Sequence, residues 1–191
     1  MDPRFPIADA PDPSAPELVE ESLKKMVGGT PPFPWIEDDG QALLGCYAPM
    51  CYSPEISRHL FEMGKVAYQP TYLTPLKREL AILGLISILK VPYMVYCHRI
   101  VSSRTGLTAQ QYDDGLAGKV PEGLSKEEDS VYRLSRILTT LSGPLEDATW
   151  HEFTSVLGKA EMVAVVHLVG AYRWLGLLTQ VNGGDNSRWM S

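Results

Sequence analysis

Cysteine is scarce: Cys46, Cys51 and Cys97 are the only three in 191 residues. So few thiols, and an odd number, argue against a disulfide framework and lead to the expectation of a reduced, cytoplasmic protein. Basic runs are missing too. Lysine and arginine are scattered and the formal net charge is −6. No phosphate-neutralising patch results, so no nucleic-acid partner is expected. The longest apolar run, 162–178, is interrupted by His167 and Arg173. It reads as a buried core or interface helix, with no membrane partner. The first sixteen residues hold five prolines and no apolar h-region, so a loose arm is expected there, not a signal peptide. There is no glycine-rich phosphate loop, no G-x-S-x-G elbow and no dinucleotide fingerprint, hence no cofactor is expected. A metal is not expected either. Neither Cys46-(x4)-Cys51 nor Cys97-His98 has zinc-ligand spacing, and His59, His151 and His167 stand apart in sequence.

What is present is helix punctuation. Ser53-Pro54 and Thr74-Pro75 each place a capping residue before proline at the first helical position. Thr108 with Gln111, and Ser125 with Glu128, are capping boxes. Each opens a segment with apolar residues three and four apart, such as Val131, Leu134, Leu138 and Leu141. No convincing period-two strand appears. The pattern predicts an all-α chain with helices over 16–26, 40–50, 54–67, 75–90, 92–105, 109–115, 126–142 and 147–182, the last broken near Gly158. The expected organisation is an N-terminal arm (1–16), one helical domain (17–183) and a C-terminal tail (184–191).

Two side chains on these helices are able to carry chemistry. Glu79 opens an apolar stripe continued by Ile82, Leu83 and Ile86. Desolvation there opposes its charge, while the helix N-terminus favours it. On spacing alone it reads equally as a capping or salt-bridging glutamate. His98 shares a face with Met94 and Val101 in the segment "VPYMVYCHRI" (91–100). It is either a satisfied core histidine or a proton carrier. Cys97 precedes it, and helical neighbours point about 100° apart, too divergent for a nucleophile and its base. Cys97 therefore reads as wall packing.

The run "LTPLKRELAILGLISILKVPYMVYCHRIVSSRTGLTAQQYDDGLAGKVPEGLSKEE" (73–128) resembles the carboxymuconolactone decarboxylase-like family, which has the AhpD-like fold. Residues 43–64 resemble that family's preceding helix pair, and 161–183 its long last helix. In the peroxidase branch a glutamate precedes a Cys-x-x-Cys, and a histidine follows it. Glu79 and His98 fall at the glutamate and the histidine, while Val91 and Met94 stand at the two cysteines. In the decarboxylase branch, Tyr93 and His98 match Tyr-Glu-Trp-x-x-His, with Met94 and Val95 replacing glutamate and tryptophan. The resemblance implies a divergent member of the fungal natural-product type, without the redox dithiol. It implies a cofactor-free enzyme acting on an organic acid or polyketide-derived ring by decarboxylation, isomerisation, ring opening or dehydration through an enolate. His98 would move the proton and Glu79 would orient it. Tyr93 or Arg78 would stabilise the enolate oxygen, and Met94, Tyr96 and Trp35 would line the pocket. It also implies self-association as trimers or hexamers. Two other readings stand beside it: a non-catalytic metabolite- or protein-binding member, and a thiol peroxidase, which the missing Cys-x-x-Cys opposes.

Overall fold

The computed structural model describes residues 4–183; the expected C-terminal tail lies outside them. Among the described residues the protein is all-α, with eight α-helices and no strand: α1 (Ala15–Val27), α2 (Tyr47–Met50), α3 (Pro54–Ala67), α4 (Pro75–Leu89), α5 (Pro92–Ser103), α6 (Ala109–Leu116), α7 (Lys126–Thr140) and α8 (Asp147–Asn182). The chain separates into two compact units. The first takes the chain up to Tyr68, Val91–Cys97 and the chain from Trp174 onward. The second takes Gln69–Lys90 and His98–Arg173.

In the second unit α4 is the central element, packing on α7 and α6. It starts where the Thr74 hydroxyl accepts from the Lys77 N–H at 3.2 Å, with proline at its first position. Leu80–Ser87 are buried without interruption, so α4 has no solvent face. A Cβ at Gly84 would sit 2.7 Å from the Tyr132 carbonyl, so glycine lets α4 and α7 approach closely. Ser135 donates to the Ala81 carbonyl across the same contact. Both capping boxes form, at Thr108 and Ser125. The expected break in α8 falls at Gly158, whose φ of 72° and ψ of 168° are not helical. Lys77 ties the first turn of α4 to Glu127 at 2.9 Å and Glu161 at 2.8 Å. Those two carboxylates raise the lysine's pKa even though its burial opposes the charge.

In the first unit α1 packs on α3, and both touch α2. Here three expectations need correction. The helix predicted over 40–50 is confined to Tyr47–Met50. Residues 35–44 instead form a tight reversal, with an Ile36–Leu43 bridge and bonds from Glu37 N to Ala42 O and from Leu44 N to Trp35 O, both 2.9 Å. Asp38-Asp39-Gly40 supplies the turn chemistry, with Gly40 at φ 70° and Asp39 Oδ1 accepting from Gln41 N. Ser53 precedes α3 as expected but makes no side-chain cap. The described part of the N-terminal arm is anchored. Phe5 packs edge-on against Tyr52, whose hydroxyl donates to the Pro6 carbonyl, and Arg4 donates to the Val181 carbonyl.

Among the described residues, α8 alone is long and apolar enough to cross a membrane by length and composition. Phe153, Met162, Val165, Leu168, Val169 and Tyr172 are buried in the fold, as in a core helix. Within the run 162–178, read as a buried core or interface helix, Val163, Val166, Trp174 and Leu177 are exposed, as is Val181 beyond it.

Candidate functional site

Two prolines fix the phase of the two helices that carry the candidate dyad. Pro75 starts α4 and places Glu79 in its second turn; Pro92 starts α5 and places His98 in its second turn. Lys90 makes the reversal between them by taking a left-handed conformation, φ 47° and ψ 40°, unusual for a residue with a side chain. The outcome is contact. His98 Nδ1 lies 2.8 Å from Glu79 Oε2. Glu79 is fully buried, at 0% exposure, and His98 is 7% exposed. A buried carboxylate accepts hydrogen bonds, so it favours the imidazole form with the proton on Nδ1. That leaves Nε2 with the lone pair. Tyr172 of α8 packs against the imidazole edge-to-face, with ring centroids 5.1 Å apart.

Arg78 joins the same cluster. It is buried, and its Nε stands 3.8 Å from Glu79 Oε1, close enough for charge compensation but beyond hydrogen-bond reach. Neighbours on a helix do not normally face each other; a long guanidinium side chain reaches back. Glu79 Oε1 has no hydrogen-bond partner among the described residues. The expected trio of Glu79, His98 and Arg78 therefore meets in the second unit.

The other candidates belong to the first unit. Tyr93 donates its hydroxyl to the Pro34 carbonyl at 2.6 Å, so its one proton is committed to the backbone. Burial pushes its pKa well up. Its ring also occupies the space above Gly45, where a Cβ would come within 2.1 Å. Met94 is buried, and Tyr96 and Trp35 are half-buried. The Lys24 ammonium lies 5.7 Å from the Trp35 ring centroid. All three thiols are free and buried. Desolvation pushes Cys46 up to about 12 and Cys51 to about 11, and raises Cys97 strongly. A thiol held protonated is a poor nucleophile, so Cys97 is wall packing in this geometry. Among the described residues no three of His, Cys, Asp and Glu are grouped to hold a metal ion.

Sequence reasoning missed Tyr172. Tyr172 sits in an apolar run whose helical phase is reset at Gly158, so no spacing argument reaches it. Comparison of the chain with protein-family models, with curated proteins and with solved structures found no match.

Proposed function

We propose that the protein is a cofactor-independent small-molecule enzyme that moves a proton to or from the carbon of an organic acid. One observation carries the reading: a histidine and a carboxylate, both buried, meet at 2.8 Å within an apolar helical core. Histidine suits the task because its ordinary pKa lies near neutrality. Glu79 holds Nδ1–H, and Nε2 is the reacting nitrogen. In the isomerising direction Nε2 takes a proton from carbon, and the C–H electrons pass to the carbonyl oxygen as an enolate. In decarboxylation Nε2 first takes the proton of the substrate's carboxylic acid; the electrons of the breaking C–C bond then pass to the carbonyl oxygen, carbon dioxide leaves, and the imidazolium returns that proton to carbon. In both, imidazolium forms beside the Glu79 carboxylate, which stabilises it. Arg78 compensates the carboxylate when the imidazole is neutral.

The same reading includes an AhpD-like arrangement of the helices, membership of the carboxymuconolactone decarboxylase-like family and a role in polyketide-like secondary metabolism. The resemblance of 73–128 supports these. Three unpaired thiols fit a cytoplasmic location. Self-association belongs to it as well, because exposed Val163 and Val166 in the second unit, and Trp174, Leu177 and Val181 in the first, are costly to leave in water. Light scattering at micromolar concentration is expected to give a trimer or hexamer; a monomer refutes the assembly.

The test of the chemistry begins with untargeted comparison of metabolites with and without the protein, to find the acid consumed. In deuterium oxide its product is expected to carry one deuterium at the reacting carbon, with a single stereochemistry. His98→Ala or His98→Gln is expected to slow turnover by about 10²–10⁴, the usual weight of general acid–base catalysis. Unlabelled product, or a variant as fast as the wild type, sinks the acid–base reading and favours a binding protein.

A further inference from the structure

The imidazole of His98 is carried by α5, and side chains of two other helices reach it. Glu79 comes from α4 and Tyr172 from α8, both in the second unit with His98 itself. The hydrogen bond to Glu79 fixes one atom of the ring, with Nδ1 2.8 Å from Oε2. The last torsion of a histidine side chain is broad, and a carboxylate oxygen accepts over a wide arc. One such bond therefore leaves the ring free to rock, and rocking swings Nε2.

Tyr172 adds a second constraint from a different helix. Its ring centroid lies 5.1 Å from that of the imidazole, and the two planes cross at 70°. That is a favoured geometry for a pair of aromatic rings. Tyr172 is itself held in place. Val165, Leu168 and Val169 stand seven, four and three residues before it on the same helical face, and all three are buried. Tyr172 is 8% exposed, so close packing confines its ring.

We propose that Tyr172 is a positioning residue for the proton transfer: its ring fixes the plane of the His98 imidazole, so that Nε2 keeps one direction while Nδ1 stays on Glu79. This rests on the acid–base reading of the site. The two constraints divide the work. Glu79 selects which nitrogen carries the proton, and Tyr172 sets where the other nitrogen points. A general base must lie within hydrogen-bond reach of the proton it takes, and a misplacement of about 1 Å costs about a hundredfold in rate. The role belongs to the ring, because it is the ring that meets the imidazole. Phenylalanine at this position keeps the flat surface. Leucine is apolar but has no plane to offer.

Tyr172→Phe and Tyr172→Leu test it on the full chain, first without any substrate. Carbon-13 relaxation of the His98 ring is expected to give order parameters near the rigid value of about 0.85 in the wild type and in Tyr172→Phe, and below about 0.6 in Tyr172→Leu. With the acid that the metabolite comparison identifies, Tyr172→Leu is expected to lower kcat about tenfold to hundredfold with little change in KM. Tyr172→Phe is expected to keep wild-type turnover. Tyr172→Met, equally without a plane and more flexible, takes the place of Tyr172→Leu if that variant does not fold. A His98 ring as ordered in the leucine or methionine variant as in the wild type overturns the proposal. So does a Tyr172→Phe protein as slow as Tyr172→Leu, which would give the role to the hydroxyl. Failure here is separable from failure of the acid–base reading. If Tyr172→Leu keeps an ordered ring and full turnover while His98→Ala loses deuterium uptake, only the role of Tyr172 is wrong.

Discussion

Cys97 and His98 are adjacent in sequence, yet burial does opposite things to them. Cys97 belongs to a first-unit cluster with Cys46, Tyr47 and Tyr93, all buried and all raised in pKa chiefly by desolvation. Among the described residues no cation acts on these four groups to favour a thiolate or phenolate, so burial holds them protonated. His98 turns about 100° away on the same helix and meets a carboxylate backed by a guanidinium. Burial without a charged partner silences a titratable group. Burial with one gives it a fixed hydrogen-bond partner and a defined orientation, which is what proton transfer requires.

The strongest way to break this contrast is to remove the partner. Glu79→Ala leaves His98 and Arg78 buried without the carboxylate between them, and it is expected to cost about 3–5 kcal/mol of stability, as breaking a buried ion pair does. Glu79→Gln keeps the shape and a hydrogen-bond acceptor. It is expected to fold with a smaller loss and to lower turnover more than affinity. Urea unfolding of the two variants checks this. Equal, negligible losses would mean that the pair contributes nothing to the fold.

A smaller effect sharpens the other side. In the folded state the thiols of Cys46 and Cys97 titrate above their ordinary value of about 8.5. The unfolded chain therefore loses these protons first as pH rises, and it binds fewer protons than the folded chain. Stability from this source is complete below about pH 8.5. Above it, stability falls by about 1.4 kcal/mol per pH unit for each thiol, until the folded thiols ionise, near about 12 for Cys46. Denaturation at pH 8 and at pH 10.5 is expected to show the decline, and Cys97→Ala to make it shallower while leaving turnover largely intact. Loss of turnover in a folded Cys97→Ala protein would return the thiol to the chemistry.

Much of the frame from α4 to α7 was legible because its punctuation is local. Thr74-Pro75, Val91-Pro92, Thr108 with Gln111 and Ser125 with Glu128 each set a helix start, and the starts set the phase that brings Glu79 to His98. Gly158 broke α8 as a glycine with positive φ does. The first unit was less legible. Ala42, Leu43 and Leu44 look like the start of a helix, but Asp38-Asp39-Gly40 folds them back onto Trp35–Glu37. Turn chemistry prevailed over apolar spacing there. Of the seven site candidates, Glu79, His98 and Arg78 meet, whereas the Tyr93 hydroxyl is spent on Pro34. No pattern in the sequence announces a bond to a distant carbonyl.

The central claim is that Glu79 fixes His98 with its proton on Nδ1 and its lone pair on Nε2. Nitrogen-15 NMR of the histidine side chains, at a pH where the imidazole is neutral, measures this without any substrate. The account predicts that His98 shows a protonated Nδ1 and an unprotonated Nε2, and that Glu79→Ala abolishes the preference. A His98 that carries its proton on Nε2 in the wild-type protein, or one whose tautomer is unchanged in Glu79→Ala, would contradict it.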